Sequence, residues 1–334
     1  MANMANAPMS GATPPGFTLR PARHEDIPAI IALMDAIDVV FGNVVLTLDI
    51  EDIASEWRNL NTETDTWVVV APDGALAAYG LLNDEGLGQF VADGYVHPQW
   101  RGQGLGALLL RLTETRAREL VDAAPTGARV TLLNSVLAED DAACALLETE
   151  NYTLTRVFWR MRLEMTEPPP APEWPSGVRV RPFERGHDER AVYEVVESAF
   201  SDHWGHTPVS FEEWRARMER YSTDPSLWFL VETDGGSLVS VALCRMRPEQ
   251  GWIRTIATIR EWRRRGLARA LLFQCFGAFW ERGQRFVGLG VDSQSLTGAA
   301  HLYESVGMEV EMRVATYEKE LRSGENLVVR SLEA

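Results

Sequence analysis

Arg101-Gly102-Gln103-Gly104-Leu105-Gly106 stands between a strand-like stretch and a run, Leu105 to Leu112, whose apolar residues recur at helical spacing. The passage returns 162 residues later as Arg263-Arg264-Arg265-Gly266-Leu267-Ala268. Glycine ahead of a helix lets backbone N–H groups point into one concavity with no Cβ in the way. The helix N-terminus adds about half a positive charge. Together these features make an anion site suited to a pyrophosphate, with Arg101 and Arg263 placed to close the ring.

Rival loops share that physics. Gly102-x-Gly104-x-x-Ala107 matches the letters of a dinucleotide fingerprint. Such a loop follows the first strand of its fold, whereas this one opens at residue 101, and the second copy has Arg264 where the first glycine belongs. No Gly-Lys-Ser/Thr follows, which excludes a nucleoside-triphosphatase loop. A tight turn holding no ligand is the plain alternative, and the repetition argues against it.

Working outward, Thr18-Leu19-Arg20-Pro21 returns as Arg179-Val180-Arg181-Pro182, and Leu146-Leu147-Glu148 as Leu302-Tyr303-Glu304. Three anchors in one order at nearly one spacing identify a duplication. The proline-rich stretch from Thr166 to Pro175 reads as a semi-rigid linker. The expected organisation is a disordered tail over 1–15, a domain over 16–165, a linker over 166–176, a second domain over 177–323 and a tail over 324–334.

Each copy opens with a strand (Thr18–Pro21; Val178–Pro182) and an amphipathic helix (Glu25–Asp35; Asp188–Phe200). A hairpin follows, Thr66–Ala71 with Leu76–Leu82, and Trp228–Glu232 with Leu238–Arg245. Next come a strand, the loop and a helix predicted to bury Leu105, Leu108, Leu109 and Leu112, or Leu267, Leu271, Gln274, Cys275 and Ala278. After a further strand (Arg129–Leu133; Phe286–Val291), a short helix and closing strands complete the copy. The strands flanking the loop helix should pair in parallel through a right-handed crossover. The fold class is α/β: a mixed sheet with flanking helices, built twice.

Composition sets outer limits. The 334 residues, 46% hydrophobic with 11 Trp and 12 Phe, suit two globular domains. A net charge of −16 excludes a nucleic-acid partner, which needs cations to displace phosphate counterions, and suits a cationic amine. Cys144, Cys244 and Cys275 are odd in number and scattered, so they read as reduced thiols of the cytoplasm, with no metal spacing. No run approaches ~18 apolar residues, so no membrane span is expected. The first residues lack the basic and apolar regions of a signal peptide. The expectation is a cytoplasmic monomer or homodimer.

At this point the residues carry a resemblance. Arg-x-x-Gly-x-Gly/Ala behind Tyr95-Val96-His97-Pro98 resembles motif A of the GNAT N-acetyltransferase superfamily. In the second copy, Leu289-Gly290-Val291-Asp292 followed by Thr297 to Met308 resembles the family's second acetyl-CoA segment with its hallmark tyrosine. The tandem layout is similar to that of mycothiol synthase, a two-domain member whose carboxy-terminal domain does the chemistry. The resemblance implies acetyl-CoA as co-substrate, a small amine acceptor and no metal.

It also implies roles. The pantetheine arm would be held by Tyr95, Val96 and His97 in copy one, and by Ile256, Ala257 and Thr258 in copy two. The pyrophosphate would be cradled by Arg101, Gly102, Gln103, Gly104, Leu105, Gly106 and Ala107. In copy two the cradle would be Arg263, Arg264, Arg265, Gly266, Leu267, Ala268 and Arg269, with Ser295 where the family usually has Asn. Tyr303 matches the residue that protonates the departing thiolate, while Leu147 at the equivalent place cannot. Copy two is therefore expected to be catalytic and copy one not. An N–H near Ala257 or Thr258 would stabilise the oxyanion.

Mycothiol synthase carries a glutamate base on the strand before the loop, and Trp252 stands at that position here. The base is sought instead in Phe200 to His206, the segment that roofs the acceptor pocket in this fold. His203 and His206 are the candidates, since imidazole accepts a proton near neutral pH. Asp202, Glu249 and Asp292 are further candidates, and Asp93 is the counterpart in copy one. The competing readings are a non-catalytic acyl-CoA-binding regulatory protein, a mycothiol-synthase-like enzyme and a protein N-acetyltransferase.

Overall fold

A computed structural model describes residues 13–41, 50–58, 60–221, 224–295 and 297–329. The tail expected over 1–15 lies outside the described residues as far as residue 12, and the one over 324–334 does so from residue 330. The chain forms two compact units, Met1–Thr155 with Ala315–Leu327, and Arg156–Val314 with Val328–Ala334.

In chain order the elements are β1 (Thr18–Arg20), α1 (Ile27–Val40), α2 (Ile50–Trp57), α3 (Thr62–Asp65), β2 (Thr66–Val70), β3 (Leu76–Asp84) and β4 (Gln89–Val96). Then come α4 (Leu105–Leu120), β5 (Val130–Leu137), α5 (Asp141–Thr149) and β6 (Thr153–Glu164). The second half continues with β7 (Val178–Pro182), α6 (Glu189–Phe200), α7 (Phe211–Tyr221), β8 (Trp228–Thr233), β9 (Leu238–Met246) and β10 (Gly251–Thr258). It ends with α8 (Leu267–Glu281), β11 (Phe286–Asp292), α9 (Ala299–Ser305) and β12 (Glu309–Arg322).

In the first unit the strands run β1-β2-β3-β4-β5, followed by the part of β12 from Ala315 onward. β4 and β5 are parallel, from Gln89 beside Thr131 to Ala92 beside Asn134, as the crossover requires. One face packs Leu105, Leu108 and Leu109 of α4, and the other packs Ile30 and Leu33 of α1 beside Tyr79 and Leu81. The late strand is bonded into this unit: Arg129 pairs with Glu318 at 2.7 Å, and Thr155 Oγ1 donates to the Thr316 carbonyl at 3.0 Å.

In the second unit the order is β6-β11-β10-β9-β8-β7, with the first part of β12 beyond β6. β6 runs antiparallel to β11, from Phe286 opposite Glu164 to Asp292 opposite Phe158. β10 and β11 are parallel only at Gly251 beside Val287 and Trp252 beside Gly288. Each half of the chain thus supplies a closing strand to the unit built mainly by the other half.

The repeated Arg-Pro anchors have a shared cause. Arg20 clasps Asp26 through two bonds of 2.7 Å, and Asp26 also accepts the Arg23 N–H. Arg181 clasps Asp188 at 2.6 and 2.7 Å, and Asp188 also accepts the Glu184 N–H. Both carboxylates stand at the start of the first helix of their copy, where a negative charge is favoured.

Two helix expectations need correction. Leu112 and Gln274 are half-buried, whereas Leu110 and Ala117 of α4 and Leu272, Phe276 and Phe279 of α8 are buried. α8 is apolar on most of its circumference, so spacing alone does not isolate its core face. Gly251 has a packing reason: a Cβ there would lie 2.5 Å from the Phe279 ring.

Candidate active site

In the second unit β10 changes character halfway. Its register against β9 shifts between Ile253 and Thr255, leaving Arg254 as a bulge, and its pairing with β11 has already ended at Trp252. A bulge bends a strand and increases its twist. Beyond this point Thr255–Thr258 and Leu289–Asp292 face each other across an unpaired gap. Ile256, Ala257 and Thr258 lie on one lip of it. In the first unit the β3–β4 register is unbroken, and parallel pairing continues to Ala92, so the strands part at Asp93.

The loops that follow match closely. Gly102 and Gly104 have φ of 77° and 82°, and Arg264 and Gly266 have φ of 61° and 86°. Arg264 therefore holds the left-handed conformation that glycine supplies in the first copy, at a cost of about 1–2 kcal/mol. Gly104 and Gly266 each cap a helix, leaving the N–H groups of its first turn unbonded within it. The residues present fit the diphosphate of acetyl-CoA: an amide concavity, a helix N-terminus and exposed arginines 264, 265 and 269. Gln103, Leu105, Gly106 and Ala107, with Leu267 and Ala268, complete the two loops as backbone.

The two loop arginines are held away from that role. Arg263 donates to the carbonyls of Thr258 (3.3 Å) and Ala199 (2.9 Å) and to Asp202 (3.1 Å). Arg101 pairs with Asp140 and lies over the Phe41 ring. Both act as struts between the loop and neighbouring segments.

Tyr303 sits on α9, half-buried against the core beneath α8. Burial pushes its phenol up to about 12. Its hydroxyl makes no hydrogen bond among the described residues. Leu147, the equivalent residue on α5, is buried in the core. Ser295 is bonded to Thr297 at 2.9 Å.

The segment after α6 approaches the far end of β11. His203 packs against Phe200, ring centroids 4.4 Å apart and planes tilted by 54°, and burial holds its imidazole below the ordinary value, helped by Arg263 and opposed by Asp202. His206 lies 3.4 Å from Glu197. Burial raises the Asp202 carboxyl, but hydrogen bonds from Arg263 and Arg260 outweigh it and hold the group below the carboxylate range. That makes Asp202 a poor proton acceptor. Trp252 lies between two guanidinium groups, Arg160 at 5.1 Å and Arg247 at 4.7 Å.

In the first unit Tyr95 stacks on Tyr79 (6.1 Å), Val96 packs near α4, and His97 Nδ1 accepts the Gln99 N–H. Asp93 is pushed up to about 6 by burial, with Glu85 adding to it.

Sequence reasoning missed the residues that β6 and the roof bring together. The Arg156 guanidinium lies 5.4 Å from the Trp204 ring, bonds Gln294, and has Nε 3.8 Å from Asp292. Phe158 meets Trp204 at 6.1 Å. The signal was legible as alternation: Arg156, Phe158, Arg160 and Arg162 on one face, Val157, Trp159, Met161 and Leu163 on the other. The strand that carries it, β6, pairs with β11 of the second unit.

The sequence profile of the acetyltransferase (GNAT) family matches residues 32–149 and again 190–308. The chain belongs to that family, twice over, and is an N-acetyltransferase of a family that uses acetyl-CoA. Among curated relatives it is similar to the mycothiol acetyltransferases of Thermobispora bispora, 34% identical, and Thermomonospora curvata, 33% identical; each match covers 70% of this chain and 76% of the relative. Among solved structures it is similar to a GCN5-related N-acetyltransferase from Sphaerobacter thermophilus: 38% identity, TM-score 0.84, 95% of this chain and 99% of that one. A tandem GNAT protein from the clavulanic acid biosynthesis pathway shares the fold at 17% identity, with a TM-score of 0.68 over 92% of this chain and all of that one. No helix among the described residues is long and apolar enough to cross a membrane.

Proposed function

We propose that the carboxy-terminal copy transfers an acetyl group from acetyl-CoA to a primary amine of a small molecule, and that the amino-terminal copy binds acetyl-CoA without transferring it. The observation that carries this is the contrast between Tyr303, whose hydroxyl is unbonded, and Leu147, packed in a core at the same place.

Acetyl-CoA supplies a thioester whose carbonyl carbon is open to attack by a neutral amine. The loop from Arg264 to Arg269 holds the diphosphate, and the gap between β10 and β11 takes the arm. Backbone N–H groups on the open edge of β10, near Ala257 and Thr258, polarise the carbonyl oxygen. Tyr303 gives its proton to the departing sulfur, worth about 10²–10⁴-fold. His203, neutral at pH 7 because burial disfavours its cation, takes the proton that the incoming ammonium must lose; the second proton, shed by nitrogen as the carbon–sulfur bond breaks, makes good the one that Tyr303 gave to sulfur.

The test is release of coenzyme A with a panel of amines, for wild type and Tyr303→Phe. Turnover by wild type with a loss of about 10²-fold or more in the variant supports the reading. No turnover of any amine despite acetyl-CoA binding favours a non-catalytic binding protein. A mycothiol-type acceptor is the second reading, favoured by the named relatives. It must contend with Trp252, which leaves no carboxylate at the position of that enzyme's base.

A further inference from the structure

The face of the second sheet opposite α8 is covered only in part. Leu230, Val241 and Leu243 lie under α6 and α7. On β11, Gly288 is roofed, since a Cβ there would meet Gln250 at 2.6 Å and Trp252 at 2.9 Å. Two residues further on, Gly290 is exposed in mid-strand, and a Cβ there would meet nothing within 4 Å. Glycine inside a strand with open space above it marks a place of close approach by another group. Gly290 lies beyond the last β10–β11 pair, on the floor beside the gap that would present the thioester.

Arg156 lies at the edge of this floor. Its guanidinium stands beside Asp292, the next residue after Gly290 on the same face. The side chain is only 10% exposed, and of its three nitrogens only Nη1 makes a hydrogen bond among the described residues, to Gln294. Nε is buried and has no acceptor. The group is fixed from one side by the Trp204 ring. Burying a guanidinium while leaving N–H groups without acceptors is costly, and the side-on edge formed by Nε and Nη2 matches a carboxylate.

Local charge points the same way. Along β6 three arginines, 156, 160 and 162, meet two carboxylates, Asp292 and Glu311, and Glu311 is shared by Arg160 and Arg162. Three of those five groups are cationic, in a chain of net charge −16.

We infer that the acceptor of the carboxy-terminal copy is an amine that also carries a carboxylate, with the amine over Gly290 and the carboxylate at Arg156. The inference rests on the acceptor site proposed above. Successive same-face residues of a strand lie roughly 7 Å apart, so a few bonds separate amine from carboxylate.

The test compares glycine, β-alanine and 4-aminobutyrate with their carboxamides on the full chain, by calorimetry in the presence of coenzyme A and by turnover with acetyl-CoA. At one chain length the carboxylate should bind about ten- to hundredfold more tightly than its amide. Arg156→Gln should bring that ratio near one without changing acetyl-CoA affinity, and Arg156→Lys should restore part of it. Should Arg156→Gln not fold, Gly290→Val, whose Cβ would meet nothing within 4 Å, should weaken carboxylate binding. Equal binding of acid and amide, or a preference untouched by both variants, overturns the inference. A calorimetric preference without turnover would uphold it while ending the catalytic reading; turnover of uncharged amines alone would do the reverse.

Discussion

Arg263 grips Asp202, just beyond the end of α6: Nη1 lies 3.1 Å from Oδ2, while Nη2 bonds the Ala199 carbonyl at 2.9 Å. The loop arginine therefore positions the segment that carries His203 and His206. Arg263→Gln is expected to raise the KM of the amine several-fold while moving acetyl-CoA affinity less. The pair is partly exposed, so the stability loss should be only about 1 kcal/mol. Steady-state kinetics with each substrate varied in turn checks this. A selective loss of acetyl-CoA binding would return Arg263 to the phosphate cradle.

Tyr303 carries a pH signature. Its folded phenol titrates near 12, against an ordinary value of 10.0. Between those values the folded state holds a proton that the unfolded state has lost, so stability falls as pH rises from 10 to 12. Tyr303→Phe should flatten that part of the stability curve. The same variant should lower kcat by about 10²-fold or more with acetyl-CoA affinity retained.

His203 should show the opposite sign. Burial lowers its imidazole below 6.5, so below that pH the unfolded chain binds a proton that the folded chain resists. Stability contributed by this group is present above pH 6.5 and declines on acidification. The acid limb of kcat/KM should lie below pH 6.5 and disappear in His203→Gln. A pH–rate profile with an unmoved acid limb in that variant would remove His203 as the base.

Two glycines should fail for different reasons. Gly266→Ala meets nothing within 4 Å, so its cost is that of a left-handed φ of 86°, about 1–2 kcal/mol, accompanied by weaker acetyl-CoA binding as the amides shift. Gly251→Ala drives a methyl into the Phe279 ring and should cost about 1–3 kcal/mol while leaving the loop intact. Denaturant unfolding with acetyl-CoA titration separates them.

The sequence alone determined the duplication, the parallel strands around each loop helix, and the loop itself. Those features are local: glycine ahead of a helix, apolar residues at helical spacing, and a repeated Arg-Pro at the end of the opening strand. It also distinguished Tyr303 from Leu147, because one side chain has a proton to give and the other has none. Only the tertiary structure decided that Arg263 is bound to Asp202, since a guanidinium's partner depends on which segment folds over it. Only the tertiary structure placed Arg156 and Phe158 beside Asp292. Strand pairing is non-local, and alternation along β6 reveals which residues share a face but not which sheet the strand will join.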